Sequence, residues 1–152
     1  MEYSSLTADD FWGFSLRLYR DALVQSTCLK GQDDHGADVN LLLLGVWLET
    51  RNIRITKETY LTLKSLSDRW QTERLTPLRK KRRAATKGSE AYKAFLAEEL
   101  QQEKQEQRAL VTALPSSPDG ELSLLRGYSQ QQNLPEAIPD CLLKAAQQLS
   151  RV

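Results

Sequence analysis

Apolar residues recur along the first part of the chain at helical spacing. Trp12, Leu16, Tyr19 and Leu23 follow one another at steps of four, three and four, and Phe11, Phe14 and Leu18 widen the stripe. This pattern predicts an amphipathic helix packed on two sides. Thr7-Ala8-Asp9-Asp10 reads as its start, with a hydroxyl to cap free N–H groups and carboxylates at the positive end of the helix. A second, short helix is expected from about Gln25 toward Asp34, with Cys28 and Leu29 inward. Gly36 would end it, because glycine takes the left-handed conformation at little cost. Asp38 then caps or opens a third helix carrying Val39, Leu41 to Leu44, Val46, Trp47 and Leu48. Apolar on every side, this helix belongs at the centre.

Asn52-Ile53-Arg54-Ile55 reads as an extended connection, and Thr56 with Thr59 as the next helix start, followed by Tyr60, Leu63, Leu66 and Trp70. Pro77 lacks a backbone donor and predicts a break near Thr76. Ser89-Glu90 opens the longest helix, about residues 89–113, with Tyr92, Phe95, Leu96, Leu100, Leu110 and Val111 as its apolar positions. Residues 101–108 read as a solvated face. Pro115-Ser116-Ser117-Pro118-Asp119-Gly120 is a linker signal. A short helix near 121–128 and an amphipathic one near 139–149 are expected after it.

The fold class predicted is all-α: a single-domain bundle of five to seven helices around a central apolar helix (about 38–50), with one long helix (about 89–113). Its core is expected in residues 1–114, and residues 115–152 form a linker plus a C-terminal helical segment packed on the core or on a partner. The chain has 152 residues, 40% hydrophobic and 27% charged, which suits one folded domain. The longest apolar run, Leu41 to Leu48, is broken by Gly45 and is too short to span a bilayer. The acidic opening lacks the basic start and apolar core of a secretory signal, so a cytoplasmic location is expected. Cys28 and Cys141 form no CxxC and are expected to be reduced, buried and without zinc.

Net charge is +1, unevenly spread: residues 1–40 hold seven acids and three bases, whereas residues 74–88 hold seven bases and no acid. Such poles concern partners. Arg74, Arg79, Lys80, Lys81, Arg82, Arg83 and Lys87 are nucleic-acid candidates, able to neutralise phosphates. No aromatic residue lies among them for base stacking. The alternative is that Arg74 and Arg79 pair with the acidic turn.

That turn, Lys30 to Asn40, places Asp33, Asp34, His35 and Asp38 together as weak metal candidates. Their spacing matches neither an EF-hand nor a di-iron motif. In the simpler reading Asp33 and Asp34 face solvent, His35 sits in a loop, Gly36 ends one helix and Asp38 caps the next. Asn40, ahead of four leucines, is expected to be buried and to need partners, from Gln32 or from backbone carbonyls. One histidine, no Gly-x-Ser-x-Gly and no phosphate-cradling glycine loop leave no catalytic residue and no cofactor assigned.

Phe11-Trp12-x-Phe14-Ser15-Leu16-x-Leu18-Tyr19, Gln32 with Gly36-Ala37-Asp38-Val39-Asn40-Leu41-Leu42-Leu43, Trp47, Trp70, Pro77-Leu78-Arg79, Arg82-Arg83, Lys87, Tyr92 and Glu98-Glu99-Leu100 carry a resemblance. Over about residues 7–112 the chain resembles a short bacterial family, mostly proteobacterial, described only as a domain of unknown function. The resemblance implies a small cytoplasmic helical protein without an assigned reaction. It picks out Gln32, Asp38, Asn40, Arg79 and Arg83 as a polar centre, with Asp33, Asp34 and His35 in a variable part, and it suggests a buried pair of Asp38 with Arg79 or Arg83. The functional expectation is a non-enzymatic protein-interaction or regulatory module with a protein partner. An RNA- or ribosome-associated protein using residues 74–87 is the alternative, and a metal-dependent enzyme at residues 33–40 the second alternative.

Overall fold

In the computed structural model, which describes residues 6–116 and 119–149, short polar side chains set where helices begin. Thr7 Oγ1 accepts the Asp10 N–H at 3.0 Å ahead of α1 (Ala8–Leu18). Asp21 Oδ1 accepts the Leu23 N–H at 2.8 Å ahead of α2 (Ala22–His35). Asp38 Oδ1 and Thr56 Oγ1 do the same for α3 (Val39–Thr50) and α4 (Lys57–Trp70). A π-helical turn, Gln71–Leu75, leads from α4 into α5 (Thr76–Ala84). Ser89 and Ser123 cap α6 (Glu90–Thr112) and α7 (Leu124–Gln131), and α8 (Ala137–Leu149) follows. Each cap satisfies a donor the helix cannot, a contribution of about 1 kcal/mol.

Asp21 also explains a departure from the expected pattern. It starts α2 earlier than Gln25, so the first helix ends at Leu18 and Leu23 lies exposed on the second. Gly36 ends α2 at φ 63°, its N–H reaching the Gln32 carbonyl and the Ala37 N–H the Gly31 carbonyl. The break expected near Thr76 takes the form of the π turn: α5 begins at Thr76 with Pro77 in its first turn, where a missing N–H is tolerated, and the chain stays helical from α4 through the turn into α5, one rod in three parts. Counted so, the described residues form seven helical rods.

The apolar α3 sits at the centre as its composition predicts, with Leu41, Leu42, Leu44, Val46, Trp47 and Leu48 inaccessible to solvent or nearly so. Trp47 stacks on Phe11 with ring centroids 5.1 Å apart and meets Phe14 at 6.5 Å. On its other side α3 meets α7 and α8, which bring Leu124, Leu125, Tyr128, Ile138, Leu142 and Ala146 into the same core. Two 2.9 Å hydrogen bonds between Ile55 and Leu122 tie the α3–α4 connection to the segment ahead of α7. No helix among the described residues is long and apolar enough to cross a membrane.

The stretch 101–108 departs from expectation. It is no solvated face throughout, because Glu106 and Gln107 turn inward and are almost fully buried. They face polar groups on α1 and α3, so no apolar residue marks the inward side.

Candidate functional site

Asn40 is the hub of a buried polar network. Its Nδ2 donates to the Glu103 carbonyl at 3.0 Å and to Glu106 Oε1 at 2.8 Å. Its Oδ1 accepts from Gln107 Nε2 at 3.0 Å, and Gln107 Nε2 also donates to Ser15 Oγ. Two residues earlier, Asp38 caps α3 with one oxygen and accepts the Ser67 hydroxyl at 2.6 Å with the other, while its N–H reaches the Tyr128 hydroxyl at 2.7 Å. Helices α1, α3, α4, α6 and α7 thus meet through one set of hydrogen bonds, which a low-dielectric interior strengthens.

Glu106 is a carboxyl buried within the network, 1% exposed. Burial pushes its carboxyl far above the ordinary range, followed by the charge of Asp38 and a hydrogen bond to Asp38. Glu106 Oε2 meets no donor.

Beside the network a cleft of about 290 Å³ opens between α1, α2, α3, α5 and α6. Trp12, Leu16, Tyr19, Leu29, Leu43 and Leu100 form its apolar walls; Asn40 and Gln107 lie at its base, and Gln32 also lines it. Arg79, Arg82, Glu99 and Glu103 make its charged end. Arg82 Nε holds Glu99 Oε1 in a close ion pair. Arg79 donates from Nη1 to Gln71 Oε1 at 2.9 Å and stands farther from its carboxylates, at 3.5 Å from Glu103 and 4.0 Å from Glu99. Burial raises the Glu103 carboxyl above its usual range, Arg79 opposing the shift and Glu99 and Asp38 adding to it.

The fold divides the basic stretch. Arg79 and Arg82 turn toward α6, whereas Lys80, Lys81, Arg83 and Lys87 face solvent. Arg74 lies over the Trp70 ring at 4.2 Å, and Trp70 Nε1 donates to the Gln102 carbonyl. The acidic turn divides too, with Asp33 and Asp34 exposed, His35 half-buried and Asp38 in the network. Asp33 and Asp34 lie on α2 in solvent, whereas Asp38 caps α3 in the interior; among the described residues no group of three or more His, Cys, Asp or Glu side chains is placed to hold a metal ion. The hydrogen-bond and ion-pair partners of Asp38 do not include Arg79 or Arg83, and those of Arg74 and Arg79 lie on the π turn and α6.

Of the residues singled out by sequence, Asp38 and Asn40 lie together in the network and Gln32 and Arg79 in the adjoining cleft, but Arg83 stands apart. Ser15, Ser67, Glu99, Glu103, Glu106 and Gln107 were missed. A signal existed for the last four: steps of four, three and one place 99, 103, 106 and 107 on one face of a helix. Leu29, expected inward, is half exposed at the rim, as is Leu16 on the α1 stripe.

Burial, with Cys141 adding to it, pushes the Cys28 thiol up to about 12. Burial likewise raises Tyr19 and Tyr128.

Residues 10–110 match a protein-family model, and that span holds the network and the cleft apart from Tyr128. No curated protein and no solved structure matches the chain.

Proposed function

This chain belongs to the family described as protein of unknown function (DUF2390), and on that premise we propose that it is a non-enzymatic interaction module of the cytoplasm. Its cleft receives a leucine-sized apolar side chain from a protein partner. The carrying observation is the rim: Leu16, Leu29 and Leu100 are 49%, 48% and 53% exposed around one concavity. Clustered apolar groups left in water gain roughly 25 cal/mol per Å² when a partner covers them. The base of the cleft supports binding over reaction, since Asn40 is fully engaged and Glu99 is held by Arg82. Free cysteines suit a reducing compartment.

The test is capture from native lysate with tagged wild type, Leu100→Glu and Lys80/Lys81/Arg83→Gln forms, each split into nuclease-treated and untreated halves. A discrete protein that survives nuclease, is kept by the Gln variant and is lost with Leu100→Glu supports the reading. Retention by Leu100→Glu overturns it.

A second reading, association with RNA, rests on the outward set Lys80, Lys81, Arg83 and Lys87. It requires capture that disappears with nuclease, with the Gln variant and with rising salt.

A further inference from the structure

We infer that the charged end of the cleft reads a neutral peptide amide, so that the partner inserts an apolar residue of an accessible backbone segment, with its own carbonyl and N–H bound by Arg79 and Glu103. This inference rests on the reading of the cleft as a receptor for an apolar side chain and adds the chemistry of what accompanies it.

Two groups in the cleft are under-used. Arg79 is only 13% exposed at its side chain, yet it makes a hydrogen bond of ordinary length only from Nη1, to Gln71. Its Nη2 and Nε stand 3.5 and 4.0 Å from carboxylate oxygens, too far for strong bonds. Glu103, 34% exposed at its side chain, has that long contact with Arg79 as its ion pair. A buried guanidinium normally has its donors well engaged, because unmet polar groups away from water are costly. Here a donor and an acceptor lie side by side, both lining the same concavity as Leu16, Leu29 and Leu100.

Charge selects the ligand class. Arg79 and Arg82 are balanced in the cleft by Glu99 and Glu103, and the Asp38 carboxyl oxygens are held by the Asn40 N–H and the Ser67 hydroxyl. An anion drawn to Arg79 meets Glu99 and Glu103; a cation drawn to Glu103 meets Arg79. A neutral group with an acceptor and a donor on adjacent atoms meets neither repulsion and satisfies both residues. The amide is such a group. A cleft of about 290 Å³ is at the small end for ligand sites, suited to one side chain with its flanking amides.

The experiment is an NMR titration of the full chain with three probes of similar apolar size: N-acetyl-leucinamide, hexylamine and hexanoate. N-acetyl-leucinamide is expected to shift the amide signals of residues lining the cleft, saturably, and at least roughly tenfold more tightly than either ion. Glu103→Leu, at a position about a third exposed, removes the acceptor and is expected to weaken that probe by roughly tenfold. Its fold is checked by its amide spectrum, and Arg79→Lys, which keeps the charge and loses the fork, serves as an independent second variant. Tighter binding of hexylamine or of hexanoate, or undiminished binding of N-acetyl-leucinamide to both variants, overturns the inference. If none of the three probes binds while Leu100→Glu still abolishes partner capture, the amide inference fails and the receptor reading stands. If Leu100→Glu leaves capture intact, the receptor reading fails.

Discussion

Asn40 Nδ2 donates to Glu106 Oε1 at 2.8 Å, joining the first turn of α3 to the C-terminal half of α6. Burial and the charge of Asp38 favour the proton on that carboxyl, which has a consequence for stability. Above the ordinary carboxyl value of 4.5 the unfolded chain releases it while the native chain retains it. The contribution is therefore full below that value and is lost progressively as pH rises toward the raised native value. Urea unfolding between about pH 5 and about pH 9 should show wild-type stability falling, at a limit of about 1.4 kcal/mol per pH unit. Glu106→Gln, which cannot ionise and keeps an acceptor for Asn40, should remove that slope. Equal slopes in the two proteins would mean that Glu106 is ionised in the native state.

Asn40 engages both ends of its amide. Asn40→Leu matches its size but leaves Gln107 Nε2 with Ser15 alone and removes a donor from Glu106, so a loss of roughly 3 kcal/mol is expected from the buried groups left unpaired. Denaturant titration checks it. A loss smaller than about 1 kcal/mol would show that the network rearranges around the gap.

Two glycines on facing helices should respond in opposite ways. A Cβ at Gly45 would lie 2.8 Å from Leu125 Cα, backbone that cannot step aside, and Gly45→Ala should cost roughly 2 kcal/mol by forcing α3 and α7 apart. At Gly127 the added Cβ meets the Tyr60 ring at 3.6 Å, ordinary contact, so Gly127→Ala should gain up to about 1 kcal/mol of helix propensity. Thermal unfolding of both variants decides whether the α3–α7 approach is as close as described.

The cysteines should differ in reactivity. Cys141 is half-buried, whereas Cys28 is inaccessible and its thiol is pushed up to about 12 by burial. A thiol reagent at neutral pH is expected to label Cys141 alone in the native protein and both after unfolding. Fast native labelling at Cys28, mapped by mass spectrometry, would contradict the packing of α2.

What could be read from the sequence was what is decided within a turn or two of chain. Thr7, Asp38, Thr56 and Ser89 cap helices because a hydroxyl or carboxylate reaches an N–H two or three residues away, and Gly36 ends α2 for an equally local reason. The central place of α3 followed from its apolar circumference. Contacts between distant segments were hidden. Glu106 and Gln107 look like solvated residues until Asn40 and Ser15 are brought to face them. Leu16 and Leu29 sit on apolar stripes, but periodicity gives the stripe and not its cover, and half of each remains in water. The basic stretch was visible as charge alone; which arginines turn inward depends on α6, across the α5–α6 connection.

That division also depends on winding. An α-helix advances about 100° per residue, and the π turn at Gln71–Leu75 absorbs one residue without advancing the face. It behaves as a phase shifter in the rod. A chain one residue shorter there, wound as plain α-helix, would keep the arginines of α5 in their present direction. The full-length chain wound the same way would swing α5 by about 100°, carrying Leu78 and Lys81 into the places of Arg79 and Arg82. One residue of helical phase therefore decides which charges close the cleft and which are offered to solvent.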